Sequence, residues 1–222
     1  MSSRYFAASM LLAVLAACSG GTPPTSVDRG HSNQDTSMQV EDVDVTSPAL
    51  PASAASADRA LRYADAAGDN VLLLGQHSTT RSDDDGVVER LTLHVAHHVG
   101  TPHASQPFRE AWRHTEVIEC EGLDFDGRFL DDALLVEDLD GDGFAEVLVG
   151  FSTFCGGGVD PRQIKLVLHT RDRDFVLEGE SIVQPPGGPA FGGSHATTPH
   201  EDAIPAPFHE ALLAAWTRVR AG

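Results

Sequence analysis

The sequence predicts a mainly β fold: a single antiparallel β-sheet or sandwich-like domain with one C-terminal helix, at the margin of the α+β class. Three observations support this prediction. Short apolar runs alternate with polar residues, turn residues separate these runs at close spacing, and only one segment has a helical period. The part of the chain from residue 59 to residue 222 is long enough to bury one sizeable core.

The N-terminal segment has the pattern of a secretory signal. Arg4 is followed by an apolar run from Tyr5 to Ala17, and small residues precede Cys18. This run is shorter than the roughly 20 residues that cross a bilayer as a helix. The ending Leu15-Ala16-Ala17-Cys18 resembles the lipobox of bacterial lipoproteins. That resemblance implies a signal peptide over residues 1–17 and lipidation of Cys18. The alternative is an ordinary signal peptide with a chance cysteine.

The lipobox resemblance also implies a location. The protein is expected in the bacterial cell envelope, held in the membrane by its N-terminal lipid. Ser19 stands where an Asp in such lipoproteins favours retention in the inner membrane, so the outer membrane is expected in a Gram-negative cell. Residues 18–58 are rich in Ser, Thr, Pro, Ala, Gly and Asp, which predicts a disordered tether.

The charge of the chain limits its partners. The formal net charge is −18, from 33 acidic and 15 basic residues. Such a surface repels phosphate backbones and has no basic stripe, which excludes nucleic acid as a partner. It attracts divalent cations and suits an envelope compartment that is open to external Ca²⁺.

Two cysteines remain once Cys18 is assigned to lipid. Cys120 and Cys155 form an even pair in an exported protein, which predicts a disulfide. Their pairing closes a loop of about 35 residues and stabilises the fold by roughly 3–4 kcal/mol in the chain-entropy model. The alternative is two separate buried thiols.

In the first half of the domain, turn residues separate three predicted strands. Ala67-Gly68-Asp69-Asn70 is a turn signal before a short strand over residues 71–74. Residues 79–86 are polar and acidic and predict a hairpin loop. The next two predicted strands contain the alternating Leu91, Leu93 and Val95, and then residues 109–120 with Trp112, His114, Glu116 and Ile118 on one side. Residues 121–132 predict a loop.

In the second half, a strand-loop-strand unit over residues 134–151 is followed by a hairpin. Ile164, Leu166 and Leu168 alternate in its first strand, and Phe175 and Leu177 begin its return strand. Residues 184–205 predict a long loop. A helix is predicted from Pro207 to about Arg220, with its apolar stripe formed by Phe208, Leu212, Ala215 and Trp216.

The acidic loop over residues 138–146 predicts a structural Ca²⁺ site. Ca²⁺ takes six to eight oxygen ligands, and carboxylates two residues apart in a tight loop can point at one centre. Gly143 allows the sharp turn that such a loop requires. The predicted ligands are Asp138, Asp140, Asp142 and Glu146 through their carboxylates and Phe144 through its carbonyl. The alternative is an acidic hairpin turn without an ion.

The loop does not fit the EF-hand pattern. An EF-hand needs a Glu at position 12, and counting from Asp138 that position is Val149. An acid at position 9 between two strands instead resembles the Asp-x-Asp-x-Asp-Gly-x-x-Asp/Glu loops of integrin-type (FG-GAP) β-propeller repeats. The loop occurs once in the chain, so the sequence does not predict a propeller.

A wider resemblance covers residues 61–181. It rests on Asp65-x-x-Gly68-Asp69-Asn70, Ile118-Glu119-Cys120, the run from Glu137 to Val147, Cys155, and Ile164-Lys165-Leu166. These residues are similar to a family of bacterial envelope proteins labelled surface polysaccharide biosynthesis proteins, whose label implies no particular reaction. The match of both cysteines supports their pairing. The family has Asp-Val-Ser-Pro where this chain has Gly158-Val159-Asp160-Pro161, so a role of that first Asp is not carried over.

Other residues give weaker signals. His94, His97, His98 and His103 lie close together, and His94 and His98 could begin a Zn²⁺ or Cu²⁺ site, although a solvated strand face is favoured. Three serines, Ser152, Ser181 and Ser194, lack a nucleophile elbow. The acids Glu121, Asp124 and Asp126 fit a solvated loop better than paired glycosidase carboxylates.

The sequence therefore predicts no catalytic residue, and an enzyme is the less favoured reading. The prediction is a lipid-anchored envelope protein with a structural Ca²⁺ loop that acts as a binding or assembly factor at the cell surface, with a glycan or protein partner. The alternative is an enzyme or accessory factor of surface polysaccharide biosynthesis.

Overall fold

The computed structural model describes residues 38–83, 86–100, 108–121 and 123–221, all within one compact unit. The predicted signal peptide, Cys18 and the first part of the predicted tether lie outside the described residues. Among the described residues, the fold is mainly β, with antiparallel sheets and one C-terminal α-helix, as the sequence predicts.

Two antiparallel sheets form the domain. The first is a meander of five strands in sequence order: β1 (Glu41–Val43), β2 (Arg59–Asp65), β3 (Gly68–Asp83), β4 (Gly86–Gly100) and β5 (Phe108–Glu121).

The second sheet contains six strands, and a short ribbon lies apart from it. Its strands are β6 (Asp124–Phe129), β7 (Leu135–Glu137), β8 (Glu146–Gly156), β9 (Gln163–His169), β10 (Asp174–Glu180) and β13 (His195–Thr198). They are paired in the order β13-β10-β9-β8-β6, and β7 also pairs with β8. The ribbon consists of β11 (Ile182–Val183) and β12 (Phe191–Gly192).

One hydrophobic core lies between the two sheets. Alternate apolar side chains of each sheet point into this layer, as expected for two sheets packed face to face. The first sheet supplies Leu61, Leu72, Leu74, Leu91, Leu93 and Val95, and the second supplies Val136, Val147, Val149, Phe151 and Val167. On β5, Trp112 and Ile118, which the sequence places on one side of the strand, pack against this core.

The helix α1 (Ala206–Val219) covers the other face of the second sheet. Its predicted apolar stripe is buried: Phe208, Leu212, Ala215 and Trp216 pack on Leu148, Ile164, Leu166, Leu168, Phe175 and Leu177. The helix begins after Pro205, and Pro207 falls in the first turn, where a missing N–H has no cost. Among the described residues, no helix is long and apolar enough to cross a membrane.

The predicted disordered tether extends too far along the chain. Residues 41–43 form β1 on the edge of the first sheet, and a 3₁₀ turn runs over Ala52–Ser56. Leu50 and Ala54 are buried against Val71 and Leu73 on the outer face of that sheet. The composition of this segment did not indicate the packing, because only a few of its apolar residues contact the sheet.

Three predicted loops are also wrong in part. Residues 79–83 continue β3, residues 124–129 form β6, and residues 195–198 form β13. The described residues of the β3–β4 hairpin beyond residue 75 are polar and exposed on β3, so they lack the apolar alternation that identifies a strand. These segments are strands because their backbones pair with a neighbouring strand. Such pairing leaves no pattern in the local sequence.

The predicted disulfide is present. Cys120 at the end of β5 is joined to Cys155 in β8, with their Cα atoms 5.7 Å apart. Because β5 belongs to the first sheet and β8 to the second, the bond joins the two layers of the sandwich covalently.

Candidate metal site and adjoining cleft

The acidic loop closes the hairpin of β7 and β8. Glu137 and Glu146 are register partners, so the residues between them form the turn. Gly141 and Gly143 have φ angles of 78° and 90°. These left-handed conformations disfavour side chains, which explains glycine at both positions.

Three carboxylates converge in this loop. One oxygen each from Asp138, Asp140 and Glu146 lie within 4.8 Å of one another. Two ligands on opposite sides of Ca²⁺, each at 2.3–2.6 Å, would be about 5 Å apart, so this spacing can surround a hard cation. Carboxylate oxygens also suit other hard divalent ions, such as Mg²⁺ or Mn²⁺.

Glu146 is the buried end of this group. Its side chain is only 2 % exposed, and Oε2 accepts a hydrogen bond from Leu139 N at 2.8 Å. Burial raises the pKa of Glu146 to about 7, although the hydrogen bond from Leu139 N lowers it. The nearby carboxylates of Asp140, Asp142 and Asp138 add smaller upward effects. A buried carboxylate among like charges is costly without a compensating charge.

Asp138 both faces the group and organises the turn. Its Oδ1 accepts from Gly141 N at 2.8 Å and from Asp142 N at 3.1 Å, and its Oδ2 accepts from Gly143 N at 2.9 Å. Asp142 lies outside the converging group, and its Oδ1 accepts from Phe144 N at 2.8 Å. Thus the structure brings together three of the four predicted carboxylates, and the Phe144 carbonyl stays a predicted ligand.

The loop is fixed to the first sheet at the β2–β3 turn. Asp65 Oδ2 accepts from Ala145 N at 3.1 Å, and Ala66 N donates to the Gly143 carbonyl at 2.7 Å. Asp65 Oδ1 accepts from Ala67 N and from Asn70 Nδ2, both at 2.8 Å. The loop geometry therefore depends on the first sheet as well as on its own hairpin.

A cleft of about 320 Å³ adjoins the loop on its Phe144 side. Five separate segments of the chain meet there. Its lining consists of Asp65, Ala67, Asn70, His97, Val99, Arg109, Ala111, Trp112, Phe144, Ala145, His169, Thr170 and Arg171.

A β-bulge lies at this cleft. His97 pairs with Trp112, and His98 pairs with Glu110, so Ala111 is an extra residue in β5. A bulge bends the strand and redirects the side chains next to it, and bulges are frequent beside functional sites.

His97 is held by a defined set of hydrogen bonds. Asn70 Nδ2 donates to Asp65 and to the Gly68 carbonyl, so Asn70 Oδ1 is the acceptor that faces His97 Nε2 at 3.0 Å. Nε2 therefore carries the proton, and it also lies 3.0 Å from the Tyr63 hydroxyl. Burial, with a smaller contribution from the charge of Arg109, lowers the pKa of His97 to about 4.

His169 stacks on Trp112 from the second sheet. The two rings have centroids 3.8 Å apart and are nearly parallel. His169 Nδ1 lies 2.7 Å from Asp174 Oδ1, and as the carboxylate is the acceptor this nitrogen donates. The opposite nitrogens, His97 Nδ1 and His169 Nε2, are buried without a hydrogen-bond partner among the described residues. An unsatisfied buried polar atom costs about 1–3 kcal/mol.

The other predicted candidates do not form a site among the described residues. His98 is 5 % exposed and bonds Ser53 Oγ at 3.0 Å, and the only group of three or more potential metal ligands in the described chain is the acidic loop. His103 lies outside the described residues. Ser152 and Ser181 both bond Arg162, which also pairs with Asp126 at 2.6 Å.

No family model, no curated protein and no solved structure matches the chain.

The cleft was not predicted from the sequence. Each of its segments carries only one to three polar or aromatic side chains, and the strand pairing that brings these segments together is long-range.

Proposed function

We propose that this chain is a lipid-anchored envelope protein whose β-sandwich binds Ca²⁺ in the loop of residues 138–146 and presents a binding surface to a glycan or protein partner. The role of the ion is structural. It holds the loop against the first sheet and so shapes the cleft beside it.

The convergence of Asp138, Asp140 and Glu146 is the observation that carries the metal site. A solvated acidic turn would leave its carboxylates apart in water. Here Glu146 is 2 % exposed and has a raised pKa, so a cation would offset its burial and the repulsion of its neighbours. We assign Ca²⁺ and not Mg²⁺, because Ca²⁺ accepts irregular coordination by oxygen ligands, whereas Mg²⁺ demands near-ideal octahedral geometry.

The disulfide supports export. A bond between Cys120 and Cys155 forms and persists in an oxidising compartment such as the periplasm or the cell surface. The sequence ending at Cys18 supports lipidation after export. Metabolic labelling with a fatty-acid analogue tests the anchor: the wild-type protein should carry the label, and a C18A variant should lose it.

The metal site is tested by calorimetric titration of the metal-free protein with Ca²⁺. We expect saturable binding of one ion, and at least a tenfold weaker affinity in D140N, which removes one ligand charge. D202N is the matched control, because it removes the same charge from an acid whose side chain is 90 % exposed and lies outside the loop. Equal binding by D140N and the wild type, or no heat of binding at all, contradicts the proposal.

A further inference from the structure

The cleft beside the acidic loop contains two arginines without an acidic partner. Arg109 on β5 and Arg171 in the β9–β10 turn both line it, and neither forms an ion pair with an acid in the part of the chain that the structure describes. Asp65 is the acid in the lining, and its carboxylate already accepts from Ala67 N, Asn70 Nδ2 and Ala145 N. In a chain of net charge −18, two guanidinium groups that form no ion pair among the described residues and line one cleft favour an anion there.

Two histidines in the same lining each have one ring nitrogen without a hydrogen-bond partner among the described residues. Among the described residues, the buried Nδ1 of His97 has no hydrogen-bond partner, and because Nε2 donates to Asn70, Nδ1 is an acceptor in the neutral ring. His169 is 4 % exposed, and its Nδ1 donates to Asp174, while its buried Nε2 has no hydrogen-bond partner in the part of the chain that the structure describes. Buried polar atoms in native proteins are nearly always satisfied, so an ordered water or a hydroxyl group of a ligand is expected at these nitrogens.

The shape of the cleft limits the size of its ligand. A volume of about 320 Å³ is at the lower end of the range for small-molecule sites. Trp112 lies in the lining with one ring face stacked on His169, so its remaining surface faces the cleft, and the β-bulge at Ala111 lies next to it. Ring carbons of a small cyclic polyol can pack on such an aromatic surface.

We propose that this cleft binds an acidic sugar. The carboxylate or phosphate of the sugar pairs with Arg109 and Arg171, and its hydroxyl groups form hydrogen bonds with His97 and His169, directly or through bridging water. The inference deepens the proposed binding role and rests on it, because it names the ligand of that role.

The cation loop contributes one wall of the cleft. Arg171 places its guanidinium 4.5 Å from the centroid of the Phe144 ring, and Phe144 belongs to the loop. Ca²⁺ should therefore strengthen sugar binding by fixing Phe144 and, through it, Arg171.

The test is a titration of the full-length protein in detergent, at saturating Ca²⁺, with four probes: glucuronic acid, glucose 1-phosphate, glucose and inorganic phosphate. Calorimetry or ligand-observed NMR gives the affinities. We expect glucuronic acid or glucose 1-phosphate to bind more tightly than glucose and than phosphate alone. Which of the two acidic sugars binds more tightly identifies the source of the anionic group. If neither binds, or if glucose or phosphate binds equally well, the proposal is overturned.

Matched variants place the ligand in this cleft. R171Q and R109Q should each weaken binding of the acidic sugar at least tenfold, since each removes a charged hydrogen-bond donor. R173Q is the control, because Arg173 lies in the same turn and also stacks on a phenylalanine, with 4.8 Å to the Phe175 ring, but does not line the cleft. Unchanged sugar binding in R109Q and R171Q would overturn the assignment of the site.

A parallel Ca²⁺ titration separates this inference from the proposed metal site. R109Q should bind Ca²⁺ as the wild type does, because Arg109 does not belong to the converging carboxylates and, unlike Arg171, does not stack on Phe144 of the loop. Ca²⁺ binding without sugar binding overturns the ligand assignment alone. Sugar binding without Ca²⁺ binding overturns the metal site and leaves the ligand assignment standing.

Discussion

Asp65 Oδ2 accepts a hydrogen bond from Ala145 N at 3.1 Å, which joins residues 80 positions apart in the chain. Asp65 ends β2 in the first sheet, and Ala145 precedes β8 in the second. A single carboxylate therefore connects the β2–β3 turn with the end of the acidic loop, at the edge of the cleft.

Replacing Asp65 by Asn should destabilise the protein by about 2–3 kcal/mol. The amide retains one oxygen, so at least one of the three donors to Asp65 loses its acceptor and faces an N–H group instead. Urea unfolding with and without Ca²⁺ measures the loss. D69N is the control in the same turn, where the acid forms an exposed pair with Arg62, and it should change the unfolding free energy by less than about 1 kcal/mol. Equal effects of D65N and D69N would contradict this role of Asp65.

Much of the fold followed from the sequence because its signals are local. The acidic hairpin, the alternating strands around Leu93 and Leu166, and the amphipathic C-terminal helix all carry a period or a turn motif within a few residues. The structure places Leu93 and Leu166 in the sheets with no exposed surface, as that period requires.

The missed elements have no such local signal. The acidic strand β6 is formed by pairing with β8, and β1 is formed by pairing with β2. The cleft was missed for the same reason, since the contact of Trp112 with His169 joins β5 to β9. Asp142 differs from the predicted ligand set because its side chain caps Phe144 N in the turn.

Acid should destabilise the protein through His97. The pKa of this residue is lowered from 6.5 to about 4 in the folded state, mainly by burial, so the unfolded chain binds the proton more tightly. The stability that neutral His97 contributes to the fold is therefore fully present above pH 6.5 and is lost as the pH falls toward 4. The total loss in the free energy of unfolding is up to about 3 kcal/mol. The groups that act on its charge are Asp65, His98, His169 and Arg109.

Urea unfolding at several pH values tests this dependence. The difference in unfolding free energy between the wild type and H97Q should shrink as the pH falls from 7 to 5, because the variant has no proton to take up at this position. H77Q is the control at an exposed histidine of the same sheet and should follow the wild type. A constant difference between H97Q and the wild type across this range would exclude the mechanism.

Loss of the disulfide should lower the free energy of unfolding by about 3 kcal/mol. The bond closes a loop of 35 residues, and removing it restores conformational entropy to the unfolded chain. The double variant C120S/C155S should unfold at lower urea concentration, and reduced wild-type protein should match it. A double variant with the midpoint of the oxidised wild type would refute this contribution.

Truncation in the helix should distinguish its two leucines. Leu212 has no exposed surface and packs on the second sheet, whereas Leu213 is only partly buried. L212A should therefore cost about 2–5 kcal/mol through lost burial and a residual cavity, and L213A clearly less. Thermal and urea unfolding of the two variants give the comparison, and equal losses would mean that the helix does not depend on this stripe.

The stability of E146Q, measured at pH 8 in EDTA and in excess Ca²⁺, tests the metal site most directly. In EDTA the variant should be more stable than the wild type by about 1–3 kcal/mol, because it removes a buried carboxylate whose pKa is raised to about 7 and whose charged form is disfavoured at that pH. In Ca²⁺ the order should reverse, because only the wild type retains this ligand and gains stability from the ion. E210Q, an exposed change on the helix, should follow the wild type in both conditions. If the wild type unfolds at the same point with Ca²⁺ and with EDTA, and E146Q does not change order, the loop is an acidic turn and not a calcium site.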